Sequence, residues 1–166
     1  MECLELFANR RSFRELSNES LNKNDIEAII EAGMLAPVAR GKYNTLVINV
    51  YENEKLDKIK KEFFNYLGRD IFFNCSLFIL ISQKDEIDDL MNQNAGTILE
   101  NMLLEATNRN IGSVFVYSPV RIIRSKSELY NLFNIKEGYK PIAGAVFGKK
   151  TSSNTSKVEH KIEVIY

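Results

Sequence analysis

The sequence predicts an α+β sandwich in which one mixed sheet has helices on both of its faces. Three observations support this prediction. Segments with strand-like spacing alternate with segments of helical spacing, two helices precede the first strand, and the turns carry no dinucleotide-binding fingerprint. The 166 residues suit one domain over 1–166, whose last part, at about 149–166, is a C-terminal arm.

The predicted helices are recognised by apolar residues at helical spacing and by their ends. A short helix near the start of the chain is followed by one that begins after Asn22 or Asn24 and stops before Pro37. The next helix is capped by Asn53 and ends at Gly68.

A long helix is predicted from about Ile87 to Asn108, and a capping box formed by Ser125 and Glu128 opens the last helix. Gly96 lies inside the long helix, where a glycine costs about 1 kcal/mol relative to alanine. We therefore expect Gly96 to serve close packing or the close approach of a ligand or a second subunit.

The predicted strands are short runs rich in β-branched and other apolar residues. The run Leu77–Ile81 is apolar throughout, as expected for a strand that is buried on both faces. Three more strands are predicted at Thr45–Tyr51, Ser113–Tyr117 and Ile142–Phe147. The alternating segment Val158–Tyr166 forms either a short fifth strand or an extended arm.

Composition argues against several classes of function. The 22 basic and 22 acidic residues leave no net charge, which argues against a general nucleic-acid or membrane-surface role. No apolar run approaches the roughly 20 residues of a membrane span, and the start lacks a signal-peptide pattern. Cys3 and Cys75 are far apart in the sequence, so we expect two reduced thiols in a cytoplasmic protein.

A cationic cluster close to the start is the most informative motif. Arg10, Arg11 and Arg14 supply three guanidinium groups, and Ser12 places a hydroxyl among them. A guanidinium offers a planar fork of donors that matches phosphate oxygens, so the cluster suits one dianionic phosphate. A solvated or ion-paired surface is the alternative interpretation.

Two further cationic pairs lie towards the end of the chain: Lys149 with Lys150, and His160 with Lys161. They either are ordinary surface charges or bind a phosphate together with the first cluster. His160 is the only histidine and lies in a polar tail. This argues against a metal site and against a Ser-His-Asp or Cys-His hydrolase.

The segment from Ala36 to Asn44 joins a helix that stops at proline to the first strand. Its small residues, among them Ala39 and Gly41, let the backbone approach the edge of a flat ligand. Backbone N–H and C=O groups could then bind heteroatoms of that ligand. An ordinary connecting loop is the alternative interpretation.

A series of motifs resembles those of the nitroreductase-like flavoproteins and follows their order. The cluster at 10–14 resembles the opening R-R/H-S-x-R/K motif, and 36–41 resembles the A-P-S-A-x-N loop. Residues 94–104 are similar to the long-helix signature D-A-G-x-A-x-x-N-x-x-L, and 111–113 to the G-L-G-S before the next strand. Residues 138–148 resemble the penultimate strand with its terminal glycine, so the resemblance covers nearly the whole chain.

The resemblance implies a three-layer sandwich with a central mixed, mostly antiparallel sheet flanked by helices. It implies FMN bound at the interface of an intertwined homodimer. It also implies a ping-pong reaction in which NAD(P)H reduces the flavin, NAD(P)⁺ leaves, and a small nitroaromatic or quinone acceptor enters the same place. Hydride chemistry then belongs to the flavin, so no residue of the chain is required as a catalytic acid or nucleophile.

The motifs also imply roles for individual residues. Arg10 and Ser12, with Arg11 beside them, bind the FMN phosphate. Arg14 lies near the pyrimidine end of the ring, where positive charge stabilises reduced flavin. The resemblance also implies that the partner subunit contacts the ribityl chain or the ring edge through Pro37, Val38 and Ala39. Tyr117, Ser118 and Pro119 would lie near the flavin. The phosphate would be contacted by Lys149, Lys150, His160 or Lys161.

Two departures from the family pattern leave the acceptor open. Val38 stands where the family loop usually has serine, and 43–45 (Tyr-Asn-Thr) replaces the usual Q-P-W. The alternative function is an FMN-binding protein without turnover of a small acceptor: a flavin carrier, a redox sensor or a partner-dependent electron donor. A third hypothesis, a phosphate or nucleic-acid binding module without flavin, is disfavoured by the neutral net charge.

Overall fold

A five-stranded sheet organises the described part of the chain. The structure is a computed structural model that describes residues 2–84, 90–152 and 162–165. Its helices are α1 (Cys3–Asn9), α2 (Lys23–Met34), α3 (Asn53–Leu67), α4 (Met91–Asn108), α5 (Ser118–Ile123) and α6 (Ser127–Tyr130). Its strands are β1 (Leu16–Ser17), β2 (Leu46–Glu52), β3 (Leu77–Lys84), β4 (Gly112–Val116) and β5 (Tyr139–Lys150).

Strand pairing confirms the predicted mixed, mostly antiparallel sheet. The ladder order is β1-β5-β3-β2, and β4 also pairs with β5. All of these ladders are antiparallel, whereas Ser12 forms an isolated parallel bridge with Ser113. β5 therefore pairs with β1, β3 and β4, and the cationic cluster at 10–14 reaches the sheet beside β4.

Alternating side chains of β3 separate two apolar cores, one on each face of the sheet. Ile79 and Ile81 pack in the core that α2 and α4 cover. Phe78 and Leu80 pack in the core that α3, α5 and α6 cover. The result is the predicted sandwich of three layers, helices–sheet–helices. None of the described helices is both long and apolar enough to cross a membrane.

Local signals placed two of the helix ends correctly. The Asn22 side chain accepts a hydrogen bond from the backbone N–H of Asp25 at 2.8 Å, which caps α2 as predicted. Gly68 ends α3 in the left-handed conformation, with φ of 70°. Asn53 is instead the first residue of α3, with φ of 53°, and Glu52 takes the cap position.

The predicted capping box at Ser125 is wrong. The Ser125 hydroxyl donates to the carbonyl of Ile122 at 3.0 Å, so it closes the end of α5. α6 begins two residues later, at Ser127, after Lys126 in the cap position. The sequence analysis did not predict α5. Ser125 and Glu128 match the capping pattern whichever helix the serine serves, so the pattern alone could not place the start of α6.

Several further boundaries differ from prediction. β1 has two residues and was missed, because it exists only through its pairing with Lys149 and Lys150. The predicted start of the long helix, at Ile87, lies outside the described residues. Most of the predicted tail segment, Val158–Tyr166, also lies outside them, and the described residues 162–165 are exposed.

Gly96→Ala is expected to raise the free energy of unfolding of the flavin-free protein by about 1 kcal/mol. An ideal Cβ at Gly96 would have no described heavy atom within 4 Å, so packing within the described chain does not require glycine there. Alanine simply removes the entropic cost of glycine in a helix. Urea denaturation measures the change.

Gly68→Ala serves as the control for this prediction, because an ideal Cβ at Gly68 also has no described heavy atom within 4 Å but Gly68 has a positive φ. There the alanine is expected to cost about 1–2 kcal/mol. Destabilisation by Gly96→Ala would contradict the prediction. It would show that a second chain or a segment outside the described residues approaches α4 at this point.

Candidate functional site

The cationic cluster lies where the chain leaves α1 and meets the start of β4. Arg10 is the residue that follows α1, and Ser12 bridges to Ser113 two residues later. The backbone N–H of Phe13 donates to the carbonyl of Ser113 at 3.0 Å. The sheet therefore holds the backbone of residues 12–13 in place, and this fixes the position from which the neighbouring arginine side chains extend.

Glycine at position 112 makes this close approach possible. An ideal Cβ at Gly112 would lie 2.6 Å from Leu16 Cδ2, 3.1 Å from Lys150 Cγ and 3.2 Å from Phe13 Cβ. These contacts are too short for any side chain to be added without displacing its neighbours. The absence of a Cβ therefore lets the cationic segment and the end of β5 cross over the start of β4.

Arg14 opens onto a recess of about 250 Å³ beside β4. Two other predicted residues, Tyr117 and Ser118, line the same recess. Arg69 and Phe115 line it as well, although the sequence analysis did not predict either of them. The recess thus combines two guanidinium groups and the Asp70 carboxylate with aromatic rings.

The outer edge of β4 borders this recess. Because the Ser113 carbonyl accepts from Phe13, it points away from β5. In an antiparallel pair the direction alternates along the strand, so the N–H and C=O of Phe115 also point outward. The Phe115 and Tyr117 side chains are 44% and 47% exposed. This edge can therefore offer both hydrogen-bonding groups and aromatic surface to a flat ligand.

No local pattern could have identified Arg69 or Phe115. Arg69 follows the end of α3 at Gly68, and the Asp70 side chain shapes the next turn by accepting from the backbone N–H groups of Phe72 and Asn74. That turn brings Arg69 to β4. For Phe115, the only available signal was a large aromatic residue in the middle of a predicted strand.

Arg10 points to a different neighbour from Arg14. Its Nε lies 3.4 Å from Oε1 of Glu100 on α4, and its side chain is 29% exposed. Arg11 is half-buried and Ser12 is exposed. The predicted phosphate ligands therefore lie at the α1–α4 junction, on the same segment as Arg14.

The two lysines at the end of β5, Lys149 and Lys150, have different partners. The Lys149 ammonium forms an ion pair with the Glu19 carboxylate. Lys150 donates to Oδ1 of Asn110 at 2.9 Å and lies 4.6 Å from the ring centre of Phe13, and burial lowers the pKa of Lys150. Lys150 therefore approaches the cationic segment, whereas the Lys149 charge is already compensated.

Both lysines line a second recess, of about 430 Å³, on the side of the fold where α2 begins. Arg109 lies there too, but it is paired with Asp25 at 2.9 Å and with Glu105 at 2.6 Å. Of the cations that line this recess, Arg109 and Lys149 are thus paired with carboxylates. The two other predicted cations, His160 and Lys161, lie outside the described residues.

The loop at Pro37–Ala39 is held by α4 and does not line the Arg14 recess. The Thr97 hydroxyl donates to the Pro37 carbonyl at 2.9 Å, and the Ala39 N–H donates to Asn94 Oδ1 at 2.9 Å. Val38 is buried in the core beneath α2 and α4. These backbone groups are therefore already paired within the chain.

Cys75 is a buried thiol that is not activated for catalysis. Cys75 is fully buried, and burial raises its pKa to about 12. The thiol stays protonated at neutral pH, so it is not an activated nucleophile.

The fold and the recess together define a three-layer α+β protein that can hold a flat, anionic ligand at the edge of its sheet. Comparison with known proteins identifies the family. Residues 7–69 match the model of the nitroreductase family. A protein of Archaeoglobus fulgidus, whose assigned name is NADH dehydrogenase/NAD(P)H nitroreductase, is 33% identical over 140 residues, which cover 82% of this chain and 78% of the relative. The chain belongs to the nitroreductase family, a family of oxidoreductases.

Solved structures confirm the fold. A nitroreductase from Bacteroides fragilis superimposes with a TM-score of 0.81 and 18% identity, covering 100% of both chains. A nitroreductase from Desulfitobacterium hafniense gives a TM-score of 0.84 and 19% identity, covering 98% of this chain and 96% of the other. Both of those structures contain bound FMN.

Proposed function

We propose that the protein binds FMN and catalyses a ping-pong reaction in which NAD(P)H is the reductant and a small nitroaromatic or quinone molecule is the acceptor. One observation carries this proposal. Arg14, Arg69, Phe115 and Tyr117 share a recess at the sheet edge, directly along the chain from the Arg10–Ser12 segment. This places cations and aromatic surface together, as a planar anionic cofactor requires.

The residues present fit the chemistry of FMN. A phosphate needs charge-assisted donors, which Arg10, Arg11 and Lys150 supply around one segment. A flavin ring needs a flat apolar surface and hydrogen-bonding groups at its polar edge. The exposed Phe115 ring and the outward N–H and C=O of β4 supply these.

When bound, FMN supplies the redox chemistry by accepting hydride from NAD(P)H and passing electrons to the acceptor. The chain itself binds and orients. Arg10 and Ser12 hold the phosphate, and Arg14 and Arg69 keep positive charge at the recess, where it favours a negatively charged ligand. Phe115 and Tyr117 cover apolar surface and limit the access of water.

We also propose a homodimer, in which the partner completes the site. At the end of α2, Met34 is 58% exposed and the next residue, Leu35, is 75% exposed; Tyr43, further along the chain, is 52% exposed. Beside them an apolar groove of about 490 Å³ runs between α2 and β2. Apolar surface of this extent supports burial against a second copy. We propose, from the family resemblance, that each Pro37–Ala39 loop then lies near the partner's recess.

Purified protein, after incubation with FMN and removal of excess flavin, is expected to retain a flavin absorbance spectrum. NADH or NADPH is expected to bleach that spectrum under anaerobic conditions, and a quinone or nitroaromatic compound to restore it. Protein that stays colourless after this treatment would overturn the proposed function.

The alternative is an FMN-binding protein that does not turn over a small acceptor. Two observations favour it: Val38, in place of the family serine, is buried in its own core, and the backbone around it is tied to Asn94 and Thr97. Such a protein would hold flavin yet oxidise no NAD(P)H in the steady state with these acceptors. We further propose a reducing, cytoplasmic setting, which the two free cysteines support.

A further inference from the structure

The ion pair between Arg10 and Glu100 joins the cationic cluster to the long helix. The pair links Arg10 Nε to Glu100 Oε1 at 3.4 Å. Arg10 follows α1, a helix of seven residues with no buried side chain, so α1 does little to orient the arginine. Among the described contacts, Glu100 is what ties this guanidinium to the body of the fold.

Glu100 stands on a rigid support. Its neighbours Leu99 and Met102 are fully buried in the core between α4 and the sheet. The Asn101 side-chain amide donates to the carbonyl of Ala32 at 3.1 Å, which fastens α4 to α2. The backbone that carries the Glu100 carboxylate is therefore held firmly in place.

The contact engages the inner nitrogen of the guanidinium. The four N–H donors on the two terminal nitrogens of Arg10 stay available for another anion. An arginine held in this way has less rotamer freedom to lose when it binds phosphate, which strengthens binding. The Glu100 side chain is 51% exposed, so solvent and salt screen its repulsion of the phosphate.

We propose that Glu100 is a positioning residue that holds the terminal nitrogens of Arg10 towards the phosphate of a bound flavin nucleotide. The inference rests on the proposed function, because it presupposes that the chain binds FMN. It adds an acidic residue on α4 to the residues proposed to bind the phosphate.

Titration of flavin-free protein with FMN and with riboflavin, which lacks the phosphate, tests this inference. Glu100→Ala is expected to raise the FMN dissociation constant about fivefold and to leave that of riboflavin unchanged. Glu100→Gln, which keeps the length of the side chain but removes its charge, is expected to raise the FMN dissociation constant as well, because the contact with Arg10 is an ion pair. Glu27→Ala is the matched control, since Glu27 is a 60% exposed helix glutamate paired with Lys23 at 3.5 Å.

Three outcomes would overturn the inference. An unchanged or lower FMN dissociation constant in Glu100→Ala would show that the carboxylate does not position Arg10. An equal loss for FMN and riboflavin would show a general packing effect. If the wild type binds neither flavin, the proposed function fails together with the inference; if it binds FMN and the variants match it, only the inference fails.

Discussion

Arg10→Ala is expected to raise the FMN dissociation constant about 10- to 150-fold, which corresponds to about 1.5–3 kcal/mol for a hydrogen bond to a charged group. Riboflavin, which has no phosphate, is expected to bind the variant and the wild type equally. The difference arises because Arg10 would act on the phosphate alone, at the α1–α4 junction. Fluorescence titration of flavin-free protein measures both constants.

Arg121→Ala is the control for the Arg10 variant. Arg121 is an exposed arginine on α5, so its loss changes the net charge equally. An unchanged FMN constant in Arg10→Ala would remove Arg10 from the phosphate site. A parallel loss for riboflavin would show that Arg10 supports the site as a whole and does not bind the phosphate specifically.

Phe78→Ala is expected to lower the free energy of unfolding by about 3–5 kcal/mol. The Phe78 ring is fully buried near the start of β3 and packs against Tyr51, Phe72 and Phe133, with ring centres 5.8, 5.3 and 6.2 Å away. Gly144 on β5 leaves it room, because an ideal Cβ there would lie 2.7 Å from the ring. The cavity left by alanine is therefore enclosed by aromatic side chains and strand backbone that cannot easily close it.

Denaturant unfolding of the two proteins in the same flavin state measures the loss. Phe64→Ala is the control, because Phe64 lies on α3 with 54% of its side chain exposed and is expected to change stability by less than about 0.5 kcal/mol. A loss below about 1 kcal/mol for Phe78→Ala would contradict the tight packing of this ring. Since a domain typically has about 5–15 kcal/mol of stability, the expected loss is a large share of it.

Local chemistry explains what could be predicted. Asn22 and Gly68 mark the ends of α2 and α3 because a cap depends on residues that are close in the sequence. Ser125 shows that a local capping pattern can be ambiguous. Its hydroxyl could serve the helix before it or the helix after it, and only the backbone geometry decides for Ile122.

The sequence alone determined the fold class, the types of most elements, the cationic cluster and the family to which its motifs belong. These depend on spacing within short segments, which the order of residues records directly. Only the tertiary structure decided which charges act together. Arg14 and Arg69 line one recess beside β4, Arg10 pairs with Glu100, and Lys149 pairs with Glu19. Such pairs join residues from distant parts of the chain, so they exist only once the sheet has brought those segments side by side.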